Sequence, residues 1–454
     1  MSIFALVPIA AAMLMQQPAP SSPSLDFQFF KERVQPIFTT KRTGNSRCVS
    51  CHIGGTPMRL QPIAAGSGSW TDEDSRKNFD TVRARVIAGN PLKSKLLTHP
   101  LAPDAGGDPS HDGGKHWKSQ NDPEWQTLAA WVRGEKLPAL SIKPRIIQTN
   151  SAGDNVHIID PATNKVVGEI TGIEVGHGAA AAPDGSRVYV SNEADSTLDV
   201  VDARTLRVTT KVPLSGHPNN IGIGKDGRKV YVSIREGQGA VDVVDTVTLQ
   251  KVKSIPIKGA VHNTYVTPDG KYVVAGSIAG KNITVIDAQT EQTAWVLDFD
   301  LGIRPLTFET NADGSTKRIF AQLSGFNGFA VVDFATHKEL QRIELPHLAA
   351  GKTPVLEGGN ESHGMAVTPD GKILVVDSRL NSAVYMYSLP DLKLLGSTDV
   401  GRSPDWVTIS PDGKAYVANA GSNNVSVVDV KAMKEITRIP VGQVPKRNIT
   451  AMLP

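Results

Sequence analysis

Ser46–Gly55 reads SRCVSCHIGG and holds both cysteines of a 454-residue chain, with His52 directly after Cys51. Three chemistries use a C-x-x-C pair: a redox disulfide, half of a zinc site, or two thioether links to haem. Zinc would need two further soft ligands, which here would have to be histidines. A thioredoxin-like dithiol accompanies a βαβ pattern, and none is legible around this segment. Covalent haem needs the order C-x-x-C-H itself: two sulfurs for the vinyl groups and the adjacent imidazole for iron. One covalent haem c is therefore expected, anchored by Cys48 and Cys51 with His52 as proximal ligand.

Helical text flanks the motif. SLDFQFFKERVQPIF sets Phe27, Phe30, Val34 and Phe38 on one face of a helix. NDPEWQTLAAWVRG reads as another, with Asp122 as cap, Pro123 in the first turn and Gly134 as stop. Its buried stripe is Trp125, Leu128, Ala129 and Val132. A small mainly-α domain over residues 25–138 follows.

The phrases RVQPIF…CVSCHIGGTPMRLQPI, GNPLKSKLL, AGGDPSHDGGKHW and DPEWQTLAAWVRG resemble the cytochrome c domain described as planctomycete-type. The resemblance spans about Phe27 to Gly134 and implies one covalent haem and single-electron transfer. The sixth iron ligand belongs to the loop before the closing helix, where that family often has Met-Pro-Pro. This sequence has His111-Asp112-Gly113-Gly114 there. The departure makes His111 the expected distal ligand, with His99, His116 and Met58 as alternatives. Two histidines would leave the potential lower than His/Met ligation does.

Residues 1–24 are read as a signal peptide and unstructured stretch. Ile3–Met15 is an uncharged apolar run, too short to span a bilayer and suited to a secretory leader. Periplasmic or cell-surface location is expected, with no transmembrane span once the leader is removed. A net charge of +3 without like-charge runs argues against nucleic acid as a partner.

After LPALSIKPR a repeat begins. IIDPATNKVVG, VVDARTLRVTT, VVDTVTLQKVK, VIDAQTEQTAW, VVDFATHKELQ, MYSLPDLKLLG and VVDVKAMKEIT share one strand–turn–strand design. Between them recur Asp-Gly turns at Asp184, Asp226, Asp269, Asp313, Asp370 and Asp412. A period of about 42 residues with four short strands per unit is a propeller signature. The unit opening at RIIQTN lacks its innermost strand, and VGQVPKRNITAML reads like that strand. An all-β seven-bladed propeller over residues 144–454 is predicted, its C-terminal strand closing the first blade. The repeat resembles the YVTN family of propellers, named for phrases such as VYVSN and AYVANA.

Seven residues before each Asp-Gly turn stand His177, Asn219, His262, Leu306, His363 and Asp405, with Lys446 in the closing strand; His217 and Arg304 lie two residues earlier in their blades. These positions are expected to ring one mouth of the channel. The turn spacing lengthens to 57 residues between Asp313 and Asp370, and the insert runs into His363. Long loops of this kind carry sites. A copper held by His177, His262 and His363 would resemble nitrous-oxide reductases in outline. A second, non-covalent haem would resemble the cytochrome-cd nitrite reductases, which have eight blades. Lactonases also use seven-bladed propellers, yet neither a nucleophile elbow nor H-E-x-x-H is present.

The reading is an exported monohaem cytochrome whose propeller docks a redox partner protein or binds a ligand. Its rivals are a redox enzyme with a metal or second haem at the mouth, and a surface binding or display module.

Overall fold

A computed structural model describes residues 23–63, 70–137, 141–348, 353–354 and 361–454. The expected leader, Ile3–Met15, and most of the insert before His363 lie outside the described residues. The chain divides into two compact units, Met1–Ala139 and Leu140–Pro454.

In the first unit the opening helical segment starts at Phe27–Phe29, where the Asp26 carboxylate accepts from the Phe29 N–H at 2.6 Å. It widens into a π turn, Phe30–Val34, and returns to α geometry at Gln35–Thr39. Pro36 accounts for the widening, because it has no N–H and its ring would strike the carbonyl one turn back. Phe30 is fully buried, with Trp131 and Phe79 at 5.3 and 5.4 Å between ring centres.

The closing helix, Pro123–Val132, has the anticipated ends. Asp122 Oδ1 accepts from the Glu124 N–H at 2.9 Å, and Gly134 takes a left-handed φ of 84°. Trp131 lies outside the anticipated stripe, yet it is buried and donates from Nε1 to the Asp26 carbonyl at 2.9 Å. That bond ties the two ends of the unit together. A further helix, Asp72–Arg83, escapes a periodicity reading because its text, DEDSRKNFDTVR, is mostly charged. Thr71 caps it, and it contributes the buried Val82 and the ring of Phe79 to the same core.

The second unit is seven four-stranded antiparallel sheets, the seven blades read from the repeat. In six of them the strands run in chain order. In the first, Pro445–Leu453 pairs with Lys143–Asn150 ahead of Asn155–Asp160 and Lys165–Thr171, with Ile449 opposite Ile147. This is the anticipated closure.

The outer hairpins share one local device. Asp202, Asp245 and Asp287 each accept from the backbone N–H groups two and three residues on. Four residues after each turn aspartate or serine the chain turns left-handed, at Asn164, Leu206, Leu249, Glu291, His337, Leu392 and Met433. A register shift in the ladder follows every time. Asn164 and His337 are of types that favour such a backbone; at Leu206, Leu249, Glu291 and Leu392 the N–H closes on the carbonyl of the turn residue four positions back.

A chain ending at Val444 would leave the first blade with an unpaired edge and strip the channel of one wall. It is expected to aggregate, or to unfold at markedly lower urea, when followed by size-exclusion chromatography and circular dichroism. An unchanged monomer with an unchanged midpoint would show that closure does not hold the ring.

Candidate functional site

Two clusters of chemically capable side chains stand out, one in each unit. In the first, Cys48–His52 forms a short helix that sets the two cysteines one turn apart and His52 at its end. No disulfide joins them, Cys48 being partly buried and Cys51 exposed. Burial raises the Cys48 thiol, against the pull of the Arg42 guanidinium.

His52 Nδ1 lies 2.9 Å from the Met58 carbonyl and 3.1 Å from Thr56 Oγ1. His111 Nδ1 lies 2.7 Å from the Gly114 carbonyl. A carbonyl only accepts, so each ring carries its proton on Nδ1 and keeps the Nε2 lone pair for a metal. The two rings are within 13° of parallel, with centres 6.5 Å apart. Two metal–nitrogen bonds of about 2 Å, plus the nitrogen-to-centre distance in each ring, place opposed imidazoles roughly 6.3 Å apart. The centre-to-centre distance matches that of two imidazoles on one iron.

Met58 gives its backbone carbonyl to His52, and its side chain packs against the apolar core. His99 and His116 each lie 6.2 Å from His111, and neither stacks on His52 among the described ring contacts. His99 faces the Asp108 carboxylate at 3.3 Å. Desolvation lowers the basicity of His52, His99 and His116 alike. A surface cleft of about 380 Å³ beside the motif is lined by Thr39, Lys41, Ser46, Arg47 and Ser50.

In the propeller, the innermost strands bring most of the anticipated mouth residues together. His177 is buried, with Nδ1 3.0 Å from Glu193 Oε2 and no hydrogen-bond partner for Nε2. Desolvation drives it down to about 4. His262 and His363 meet edge to face, 5.5 Å between centres, and both are held well below the usual imidazole range by burial. His363 Nδ1 donates to the Asp405 carbonyl at 2.7 Å. Asp405 is buried with Arg379 Nη1 and Lys446 Nζ each at 3.0 Å. Burial alone would raise its carboxyl, but His363, Lys446 and Arg379 together hold it well below the usual range. Arg304 donates from Nε to Ser324 Oγ at 2.9 Å.

Leu306 is buried and apolar, because the innermost strand of its blade is two residues longer and Arg304 takes the register that His177 and His262 hold in theirs. His217 is exposed, faces Glu236 at 3.5 Å and bears on Glu193. The tri-histidine copper arrangement is not formed: among the described residues no group of three or more His, Cys, Asp or Glu side chains is placed to hold a metal ion.

The residue that sequence reasoning missed is Arg447. It is 1% exposed, reaches Asn263 Oδ1 at 2.6 Å and Asn219 Oδ1 from other blades, and lies 4.3 Å from the centre of the Trp406 ring. Burial pushes it down to about 10. The alignment of repeats marked its neighbour Lys446, while strand alternation sends the next side chain across the channel. A half-open cavity of about 230 Å³ is lined by the innermost strands, with Leu306, Trp406 and Asn448 among its residues.

Residues 149–277 match the family model described as "Cytochrome D1 heme domain". Among curated proteins none matches. Several solved structures are similar. A hydrazine synthase chain of Kuenenia stuttgartiensis is 25% identical, with 62% of this chain and 91% of that one covered at a TM-score of 0.55. The periplasmic gluconolactonase PpgL of Pseudomonas aeruginosa is 19% identical over 69% of this chain and all of its own, with a TM-score of 0.56. The dihydro-haem d1 dehydrogenase NirN, in complex with DHE, is 15% identical over 79% and 91%, with a TM-score of 0.51. The last two establish likeness of fold.

Because His177 is neutral when folded, the unfolded chain binds its proton first as pH falls from about 6.5. Stability tied to this group is therefore complete above that pH and lost on descent towards about 4. The loss is up to roughly 3 kcal/mol. His177→Asn should flatten this part of the stability–pH curve in urea unfolding. A curve of unchanged slope between pH 6.5 and 4.5 would contradict the assignment.

Proposed function

We propose that this chain is a haem-dependent redox enzyme, in which the first unit carries one covalent haem c and the propeller mouth receives the molecule to be oxidised or reduced. The observation that carries the reading is the His52–His111 pair: parallel rings at 6.5 Å, each with Nδ1 committed to a carbonyl. Cys48 and Cys51 would hold the macrocycle, and His52 and His111 the iron. Haem bound there supplies transfer of single electrons. The chain's own part is to fix both imidazoles and to pack Cys48 and Met58 against the apolar core. Lys41 and Arg47, in the adjoining cleft, suit the anionic edge of such a group.

The match over residues 149–277 takes in His177, Asn219 and His262, and the likeness to a hydrazine synthase chain points the same way. Both favour redox chemistry at the propeller over a carrier alone. A second macrocycle fits the mouth poorly. His177, His363, Asp405 and Arg447 are buried there, while Arg304, His262 and Lys446 are part-exposed. A small reactant suits it better. The same enclosure favours a second reading, an electron carrier whose propeller docks a redox partner protein.

Thioether attachment suits export, with Ile3–Met15 as leader and a periplasmic or cell-surface location. None of the described helices is long and apolar enough to cross a membrane.

Protein from a host that matures c-type haem is expected to show one haem per chain by pyridine haemochrome and by mass. His111→Ala should convert a low-spin ferric spectrum to high-spin and raise the potential. A colourless product, or a variant with spectrum and potential unmoved, would overturn the ligand assignment. Oxidation of the reduced protein by small electron acceptors, slowed by Lys446→Met, would separate the enzyme from the carrier.

A further inference from the structure

The propeller mouth has an unbalanced charge. Asp405 is shared between Arg379 and Lys446, which both contact it at 3.0 Å. Setting Arg379 against it leaves Arg304, Lys446 and Arg447. Glu361 bears on Arg304 and offsets one of these three. Glu193, at the rim, is taken by Arg235 at 2.6 Å as well as by His177. Asp377 adds no certain negative charge, because burial drives its carboxyl well above the usual range. The three neighbouring imidazoles are neutral, so they neither add to the excess nor relieve it.

Several buried polar atoms of this ring lack a hydrogen-bond partner: beside carboxylate oxygens of Asp405, Asp377 and Glu361 they include Arg447 Nε, which can only donate, and His177 Nε2. With Nδ1–H given to Glu193, His177 Nε2 can only accept. His262 has the opposite polarity. Asn263 Oδ1 is occupied by Arg447, so its amide Nδ2 donates to His262 Nδ1 and leaves Nε2–H as a donor. Arg304, His262 and Lys446 are part-exposed and form the way in, while Arg447 and His177 lie within.

We infer that this mouth is a binding site for a small anion that also offers a hydrogen-bond donor, such as a protonated oxyanion or a small hydroxy acid. Arg304, Lys446 and Arg447 supply the attraction, and His177 Nε2 accepts from the ligand's hydroxyl. The preference rests on the donor: an anion without one leaves that nitrogen unpaired in a desolvated site. This deepens the enzyme reading by naming the chemical class of its reactant.

The test is binding to the full-length protein at constant ionic strength and pH 6.5, by calorimetry and by the shift in thermal unfolding. The probes are phosphate, which retains a hydroxyl there, and sulfate, which does not. Saturable phosphate binding is expected, at least tenfold tighter than sulfate. Arg304→Met should weaken it about tenfold or more, Arg304→Lys should restore most of it, and His177→Phe should erase the preference over sulfate. Circular dichroism establishes that each variant is folded. No saturable binding, or equal binding in wild type and Arg304→Met, overturns the inference. The measurement does not depend on haem. A colourless protein that binds phosphate keeps this site and loses the redox reading, and a haem-loaded protein that binds neither anion does the reverse.

Discussion

A guanidinium buried without a carboxylate in contact is the constraint around which the propeller is arranged. Arg447 meets Asn219 and Asn263 through their amide oxygens and lies over the Trp406 ring. Neutral oxygens and a π face stabilise a cation less than an ion pair would, and the depressed basicity of Arg447 records the difference. The three neighbouring imidazoles stay neutral for a related reason, since each would add charge to a desolvated space that already holds a cation. Asn219, Asn263 and Trp406 come from three different blades, so one side chain fixes the relation of strands far apart in the chain.

The first unit solves a different problem with the same means. It brings together four histidines, His52, His99, His111 and His116, within a small helical core. Short-range contacts then orient them. His52, His111 and His116 each meet a backbone group a few residues away, whereas His99 is directed towards Asp108. Arg42 braces the region, pairing with Glu124 at 2.6 Å, and Glu124 also accepts from Trp117 Nε1.

Local signals were legible in the sequence and long-range ones were not. The turn aspartates, the Asp-Gly turns and the Asp122 cap each act within four residues, so the text alone located them. C-x-x-C-H is equally local. The closing strand was legible because its wording repeats that of other innermost strands. Helix Asp72–Arg83 was hidden, since a charged surface helix shows little periodicity when only a few of its residues face the core. Trp131 was missed because its reason for burial, the Asp26 carbonyl, lies 105 residues away. Arg447 was missed by one position. The repeats marked a column of equivalent residues, but the column that meets on the axis is offset by one step of the strand.

Thr149 and the strand of Arg447 touch across 298 residues of chain. Contacts of that range form late, because the intervening loop must close before they repay its entropy. A polypeptide assembling blade by blade from its first strand therefore carries an open ring, with the axial cation still loose, until the last strand docks. Any solute that prefers the assembled mouth will draw the population towards completed rings, so occupancy would act on yield and lifetime before it acts on turnover.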